Sequence, residues 1–218
     1  MADPTEATTS DPRPLKGARR VGRPTISLTR LDVQLAAAEI IAKKGYHATT
    51  IRDIAEALDV RKATIHYHIG SKADLLFSVI ESLQLPGTRI IEEVRNSDGD
   101  LPTRVRLFVR LTLERISADP IVSQVLVHEF RSLEGAYLER ATEIRDEYSA
   151  FLVSLIEEGQ AGGSFNSALD PHVCAISILL MLNSLNEWYE PKGRLRLDEV
   201  IEAQVTLVLS GLAKPLDP

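Results

Sequence analysis

Residues 50–75 read TIRDIAEALDVRKATIHYHIGSKADL, and this stretch decides the fold. Thr50-Ile51-Arg52-Asp53 sets a hydroxyl and a carboxylate at capping-box spacing, so a helix starts at Thr50 and Asp53 reaches back to it. Ile51, Ile54, Ala55 and Leu58 fall on one apolar face of that helix. Asp59 stands at the turn, and Val60 is apolar again. A short helix is predicted over about Arg61 to His68, with Ile65 and Ile69 at i, i+4 facing the core. Arg61, Lys62, Thr64, His66, Tyr67 and His68 are left facing outward or at its edges. A second capping pattern, Ser71-Lys72-Ala73-Asp74, opens a further helix on which Leu75, Leu76, Val79, Ile80 and Leu83 share a side. A bracing helix, a tight turn and a second helix dense in hydrogen-bonding tips make a helix-turn-helix. The second helix of such a unit fits the major groove of duplex DNA.

Upstream, a helix is predicted from about Thr29 to Lys44. Val33, Ala36, Ala37, Ile40 and Ile41 form its buried stripe, Lys43 and Lys44 suit its C-terminal dipole, and Gly45 takes the position just past its end. Residues 1–27 are rich in Pro, Thr, Ser, Gly and Arg without an apolar period and read as a flexible basic arm. Its Arg19, Arg20 and Arg23 suit the narrow, negative minor groove beside an occupied major groove; a merely solubilising tail is the alternative.

Charge is unevenly spread. The chain has a formal net charge of −6, yet residues 1–75 carry 12 Lys+Arg against 9 Asp+Glu, and the remainder 13 against 22. Between Pro12 and Leu31 there are six basic residues and no acid. The polyanion-binding end is therefore the N-terminal third.

Downstream, Pro86-Gly87 predicts a kink or break in the fourth helix, and residues 96–100 (NSDGD) a loop. Further helices are expected over about Leu101–Ser117, from Asp119-Pro120, over Glu134–Gln160, from Asp170-Pro171 to Glu190, and over Asp198–Leu212. Strand alternation is scarce, so the fold class is all-α: an N-terminal three-helix unit at 28–75 and a larger helical domain at 76–218. The last two helices are apolar on more than one face. Val173, Ile176 and Leu180 line one side of the first, with Ile178, Leu179 and Leu182 on others. Ile201, Val205, Val208 and Leu212 line one side of the second, with Val200, Leu207 and Gly211 off it. Two-faced helices need two sets of neighbours, which a homodimeric four-helix bundle supplies; a wholly internal core is the alternative.

Other function classes find little support. The lone Cys174, among apolar neighbours, reads as a packing residue in a reducing cytoplasm. The polar opening MADPTEATTSDPRP lacks an apolar signal core. The most apolar run, Val173 to Leu182, is ten residues interrupted by Ser177, short of the ~20 that span a bilayer. His66 and His68 splay apart on a helix, and His47, His128 and His172 add no HxxxH pair, so no metal site is expected. Gly70-Ser71-Lys72 is not a phosphate loop. Glu92-Glu93 and Glu157-Glu158 are adjacent pairs that splay as surface charge. Neither an enzyme nor a cofactor is expected.

The stretches VQLAAAEIIAKKG (33–45), YHATTIRDIAEALDV (46–60) and RKATIHYHIGSKADL (61–75) together resemble the TetR family of transcriptional regulators. The resemblance implies that Thr50 and Arg52 meet phosphate or a groove edge. It implies that Arg61, Lys62, Thr64 and His66 read base edges, and that Tyr67, His68 and Lys72 grip the backbone. The chain departs from the family pattern at Asp59, where Gly is usual, at Arg61, where a Ser or Thr cap is usual, at His66, where Tyr is common, and at Ile69, where Phe is common. The remaining helices are implied to form a ligand-binding and dimerising domain. Phe108, Phe130, Tyr137, Phe151, Met181 and Trp188 are the candidates to line its pocket. The segment Trp188–Leu195 resembles a subgroup that senses acyl-CoA thioesters, with Lys192, Arg194 and Arg196 as candidate phosphate holders or simply an exposed turn. The expected partners are a palindromic operator, a small-molecule effector and a second copy of the chain. The expected function is a repressor released by a hydrophobic small molecule, with a constitutive DNA-binding protein as the alternative.

Overall fold

The computed structural model describes residues 28–214. Their regular structure is entirely helical. Helix α1 (Arg30–Lys44) begins on a complete capping box: the Thr29 hydroxyl accepts from the Asp32 N–H at 3.2 Å, and the Asp32 carboxylate accepts the Thr29 N–H at 2.7 Å. The helix ends at Gly45, whose φ of 82° lies in the region glycine adopts without strain and whose N–H reaches the Ile41 carbonyl at 2.8 Å. Helix α2 (Ile51–Ala57) repeats the box with Thr50 and Asp53. The turn to α3 (Lys62–His68) passes through Asp59 at φ 52°, the left-handed conformation expected of a residue standing where glycine is usual.

Helix α4 (Lys72–Arg95) is continuous over 24 residues with Pro86 inside it, so of the kink or break expected at Pro86-Gly87 the break does not occur. A proline inside a helix removes one backbone bond and costs ~3 kcal/mol. Packing outweighs this: Gly87 lies against Tyr148, where an added Cβ would sit 3.1 Å from Cδ2, and Ile90, Ile91 and Val94 beyond the proline are buried. Helices α5 (Leu101–Ala118) and α6 (Pro120–Glu129) follow, then a 3-10 turn (Phe130–Ser132) and α7 (Gly135–Ala161). The helix expected to run on to Glu190 is instead divided into α8 (Pro171–Asn183) and α9 (Leu185–Trp188). The Ser184 hydroxyl bonds back to the Met181 carbonyl, and the bend sends Leu185, 1% exposed, into the core. Helix α10 (Leu197–Leu212) closes the fold.

Two cores share α4. The first joins Val33, Ala37 and Ile41 of α1, Ile54 and Ala55 of α2, Ile65, Ile69, and Leu75 to Leu83 of α4. It also takes Val122 and Val125 of α6 and Ala141 of α7, so it is not closed by α1–α4 alone. The second gathers Ile90 to Val94 of α4 with α5, α7, α8, α9 and α10 around the fully buried Phe108, Leu152 and Leu155.

Candidate nucleic-acid interface

Helix α3 has one buried residue of its own, Ile65, and Ile69 just past its end is buried with it. These two anchors fix which side of the helix faces away. Lys62, His66 and Tyr67 are exposed on that side, Tyr67 to 87%, while Thr64 and His68 lie half-buried at the edges. The Tyr67 and His68 rings meet edge to face at 5.3 Å. Arg61 takes the N-cap position with no side-chain capping bond, which leaves its guanidinium exposed. A Ser or Thr there would add ~1 kcal/mol of helix stability; the chain has an exposed cation instead.

Thr50 is occupied as the cap of α2. Arg52 donates to Glu56 at 2.7 Å, but both side chains are mostly exposed. Such a surface pair is worth little, so a phosphate can take over the Arg52 fork.

The corner between α1 and α2 contains residues that the sequence did not mark. Lys44, read only as a dipole partner, lies 2.6 Å from Asp53. That ion pair, with the Thr50 hydrogen bonds, holds the Asp53 carboxyl down at about 2. Lys72 donates to the His47 carbonyl at 3.2 Å and stands 4.2 Å above the Tyr46 ring. Burial, then the neighbouring Lys44 charge, pushes the Lys72 ammonium down from its usual range. Two ammonium groups thus crowd the first turns of α2 and α4, an arrangement that a phosphate oxyanion would relieve. Gly45 is the signal that brings Lys44 back to the α2 cap. The second unmarked residue is Glu129 at the end of α6. Its Oε1 accepts the Tyr46 N–H at 3.0 Å, and its Oε2 accepts the Ser132 hydroxyl at 2.8 Å. At α4, the Ser71 hydroxyl accepts the Asp74 N–H, but Asp74 does not close the box on Ser71; it accepts the Gly70 N–H at 3.0 Å and Arg30 at 3.5 Å.

Arg19, Arg20 and Arg23 lie outside the described residues. Lys72→Ala is expected to weaken binding to every DNA and to flatten the dependence of log affinity on log salt by about one unit, measured by titration across salt concentrations. Substituting Lys62 or His66 is expected to alter which sequences are preferred. Equal loss on all sequences would overturn their base-reading role.

The six pocket candidates fall in three places. Phe108 and Phe151 meet at 6.1 Å between ring centroids, and Met181 packs on the same core. Phe130 and Tyr137 belong to the first core instead, with Tyr137 stacked on Phe77 at 5.1 Å. Trp188 is 48% exposed and lines a surface cleft with Tyr189, Glu190, Gly193, Arg194 and Leu195. Arg196 is engaged with Asp198 at 2.9 Å, whereas Lys192 and Arg194 are exposed. Among the described residues no cluster of three or more potential metal ligands occurs, and no helix is long and apolar enough to cross a membrane.

Comparison with known proteins places the chain in a family. Residues 35–79 match the family of bacterial regulatory proteins of the tetR type, and residues 98–212 match the tetracyclin repressor-like C-terminal domain. The HTH-type transcriptional repressor KstR2 of Rhodococcus jostii is 26% identical over 189 residues, covering 85% of this chain and 92% of that protein. The regulator PfmR of Thermus thermophilus superposes with a TM-score of 0.75 at 25% identity, over 84% of this chain and 99% of PfmR. AibR, solved in complex with isovaleryl coenzyme A and operator DNA, superposes with a TM-score of 0.75 at 24% identity, over 86% of this chain and 99% of AibR.

Proposed function

The chain belongs to the TetR family of bacterial regulatory proteins, and from that premise we propose that it is a dimeric repressor released from its operator by an apolar small molecule. The observation that carries DNA binding is α3: a seven-residue helix anchored by Ile65 that turns Lys62, His66 and Tyr67 outward beside the Lys44–Lys72 corner. Base contacts from α3 supply sequence choice, and the corner supplies phosphate contacts that set register.

Dimerisation is supported by the outer faces of α8 and α10. Val173, Ile176 and Leu180 are 62%, 55% and 66% exposed, and Leu207 is 63% exposed, while the opposite faces of both helices are buried. A two-fold axis along this stripe pairs the two helices with their copies. It also sets two α3 helices about 34–36 Å apart, one turn of DNA.

Release runs through α6. This helix packs on α1, and its Glu129 holds the Tyr46 N–H; its His128 pairs with Glu187 of α9 at 3.1 Å. An effector in the second core that binds better to another setting of α6 and α4 shifts the dimer to a spacing that DNA does not match.

The test is a gel shift with the DNA upstream of the chain's own gene, with and without a panel of apolar metabolites that includes acyl-CoA thioesters, the class bound by AibR. The expected result is a shift at low salt that a panel member relieves. No shift at low salt would overturn the reading, and a shift that nothing relieves would favour a constitutive binder.

A further inference from the structure

Arg115 of α5 lies half-buried where α4, α5 and α7 meet, and among the described residues no carboxylate pairs with its charge. The residue is partly exposed, but its head turns inward, and Nη1 donates to the Leu83 carbonyl of α4 at 3.0 Å. Its Nε is fully buried with no partner, and among the described residues Nη2 donates to nothing and no carboxylate comes within ion-pair distance. The guanidinium lies 5.3 Å over the ring of Tyr148. Burial pushes the Arg115 pKa down, opposed by the Tyr148 hydroxyl. Buried charges are ordinarily paired, because an unpaired one costs several kcal/mol.

The surroundings add a polar step and a set of packed aromatic rings. Thr112 donates its one hydroxyl hydrogen to the Phe108 carbonyl at 2.7 Å, so in the 2.5 Å contact between Thr112 and Tyr148 it is Tyr148 that donates. Tyr148 also tilts against Phe108 at 5.0 Å, and Phe108 meets Phe151 at 6.1 Å. A cation with a free Nε–Nη2 edge therefore borders a set of aromatic rings.

We propose that the Nε–Nη2 edge of Arg115 is the anchor for a carboxylate on an otherwise apolar molecule, whose tail lies along Phe108 and Phe151. The edge offers two parallel N–H groups at the spacing of the two carboxylate oxygens. The site deepens the effector reading above and rests on it. It also supplies a route to DNA: a carboxylate that draws Arg115 off the Leu83 carbonyl acts on α4, whose first turn holds Lys72.

The experiment uses the full-length protein and matched straight-chain probes of about eight to sixteen carbons, each as the free acid, the methyl ester and the CoA thioester. Thermal stability and release from operator DNA are read together. The free acids are expected to raise the Tm of the wild type and to release DNA, with the methyl esters at least tenfold weaker. Arg115→Met is expected to abolish the response to the acids. It should also raise the Tm of the unliganded protein by about 3 °C, because an unpaired buried charge is removed. A merely structural arginine would lower it. Arg115→Lys, which keeps the charge but not the fork, should bind the acids more weakly than the wild type.

Equal response to acid and ester, an undiminished response in Arg115→Met, or a fall in its unliganded Tm would each overturn the carboxylate anchor. Release by the CoA thioesters alone would overturn it while leaving the apolar-effector reading standing. Failure of every probe to move either readout would overturn both.

Discussion

Leu180→Asp combined with Leu207→Asp is expected to convert the proposed dimer to monomers and to reduce operator affinity at least about a hundredfold. In the single chain these side chains are 66% and 63% exposed, beside Val173 and Ile176, so neither supports its own protomer's core. Gly211 leaves open space on the same side of α10, where an added Cβ would meet nothing within 4 Å, so a second helix can approach closely there. Burying a leucine is worth about 1.5–3 kcal/mol, and a two-fold axis counts each substitution twice. An unpaired carboxylate in that seam adds a penalty of its own. Each ~1.4 kcal/mol is tenfold in affinity, so the loss of the paired DNA contacts follows from the loss of the dimer. Sedimentation velocity and gel shift read the two effects, with circular dichroism expected unchanged. A variant that stays dimeric and keeps its operator would show that the apolar stripe is not the interface.

Gly159→Ala is expected to lower the Tm by about 4–8 °C, although alanine is the better helix former by about 1 kcal/mol. An added Cβ would sit 2.1 Å from Cδ2 of Phe165, a ring only 2% exposed and packed in the second core. The backbone there cannot drift away. The N–H groups of Ser164 and Phe165 both donate to the Gly159 carbonyl, at 2.8 and 3.0 Å. Gln160 holds the Asn166 and Leu169 carbonyls at 2.9 and 2.8 Å, and the Asn166 N–H reaches the Leu212 carbonyl at 2.9 Å. This reversal fastens the end of α7 to the end of α10 and the approach to α8. Overpacking costs about 1–3 kcal/mol; a site so held takes the upper part of that range, which leaves a net loss of about 2 kcal/mol after the propensity gain, at about 2–4 °C per kcal/mol for a chain of this size. Thermal melts check the shift, and Phe165→Leu in the same chain should recover part of it. A rise in Tm would show that the ring moves freely.

What could be read from the sequence was mostly short-range. The box at Thr50, the left-handed Asp59 and the anchors Ile65 and Ile69 depend on neighbours within one helical turn, and their residue types state them directly; the box at Thr29 is equally local but went unread. The two-faced character of α8 and α10 could also be read, because helical period alone separates Leu207 from Val208. The failures were decided at long range. Pro86-Gly87 looks like a break until Tyr148 packs on it from α7. Aromatic residues do not announce which core they enter, so Phe130 and Tyr137 group by type with Phe108 and Phe151 although they pack elsewhere. Lys44 and Glu129 act through partners that only the folded corner brings near. Arg115 sits in a run, Leu113-Glu114-Arg115-Ile116, where nothing distinguishes it from a solvated arginine.

The hydrogen bond from Tyr46 to Glu129 joins the proposed DNA-reading corner to α6, and in the proposed two-state regulator any coupling between operator and effector runs in both directions. The factor by which an effector in the second core would loosen the operator is the factor by which a bound operator would loosen the effector. On the proposed function, a dimer on DNA is therefore a less sensitive detector than a dimer free in solution. Operators that fit α3 more tightly hold the protein in its less sensitive state and yield only at higher effector concentration. Different promoters answering to this one protein would then switch at different concentrations of the same molecule, in an order written in the DNA rather than in the pocket.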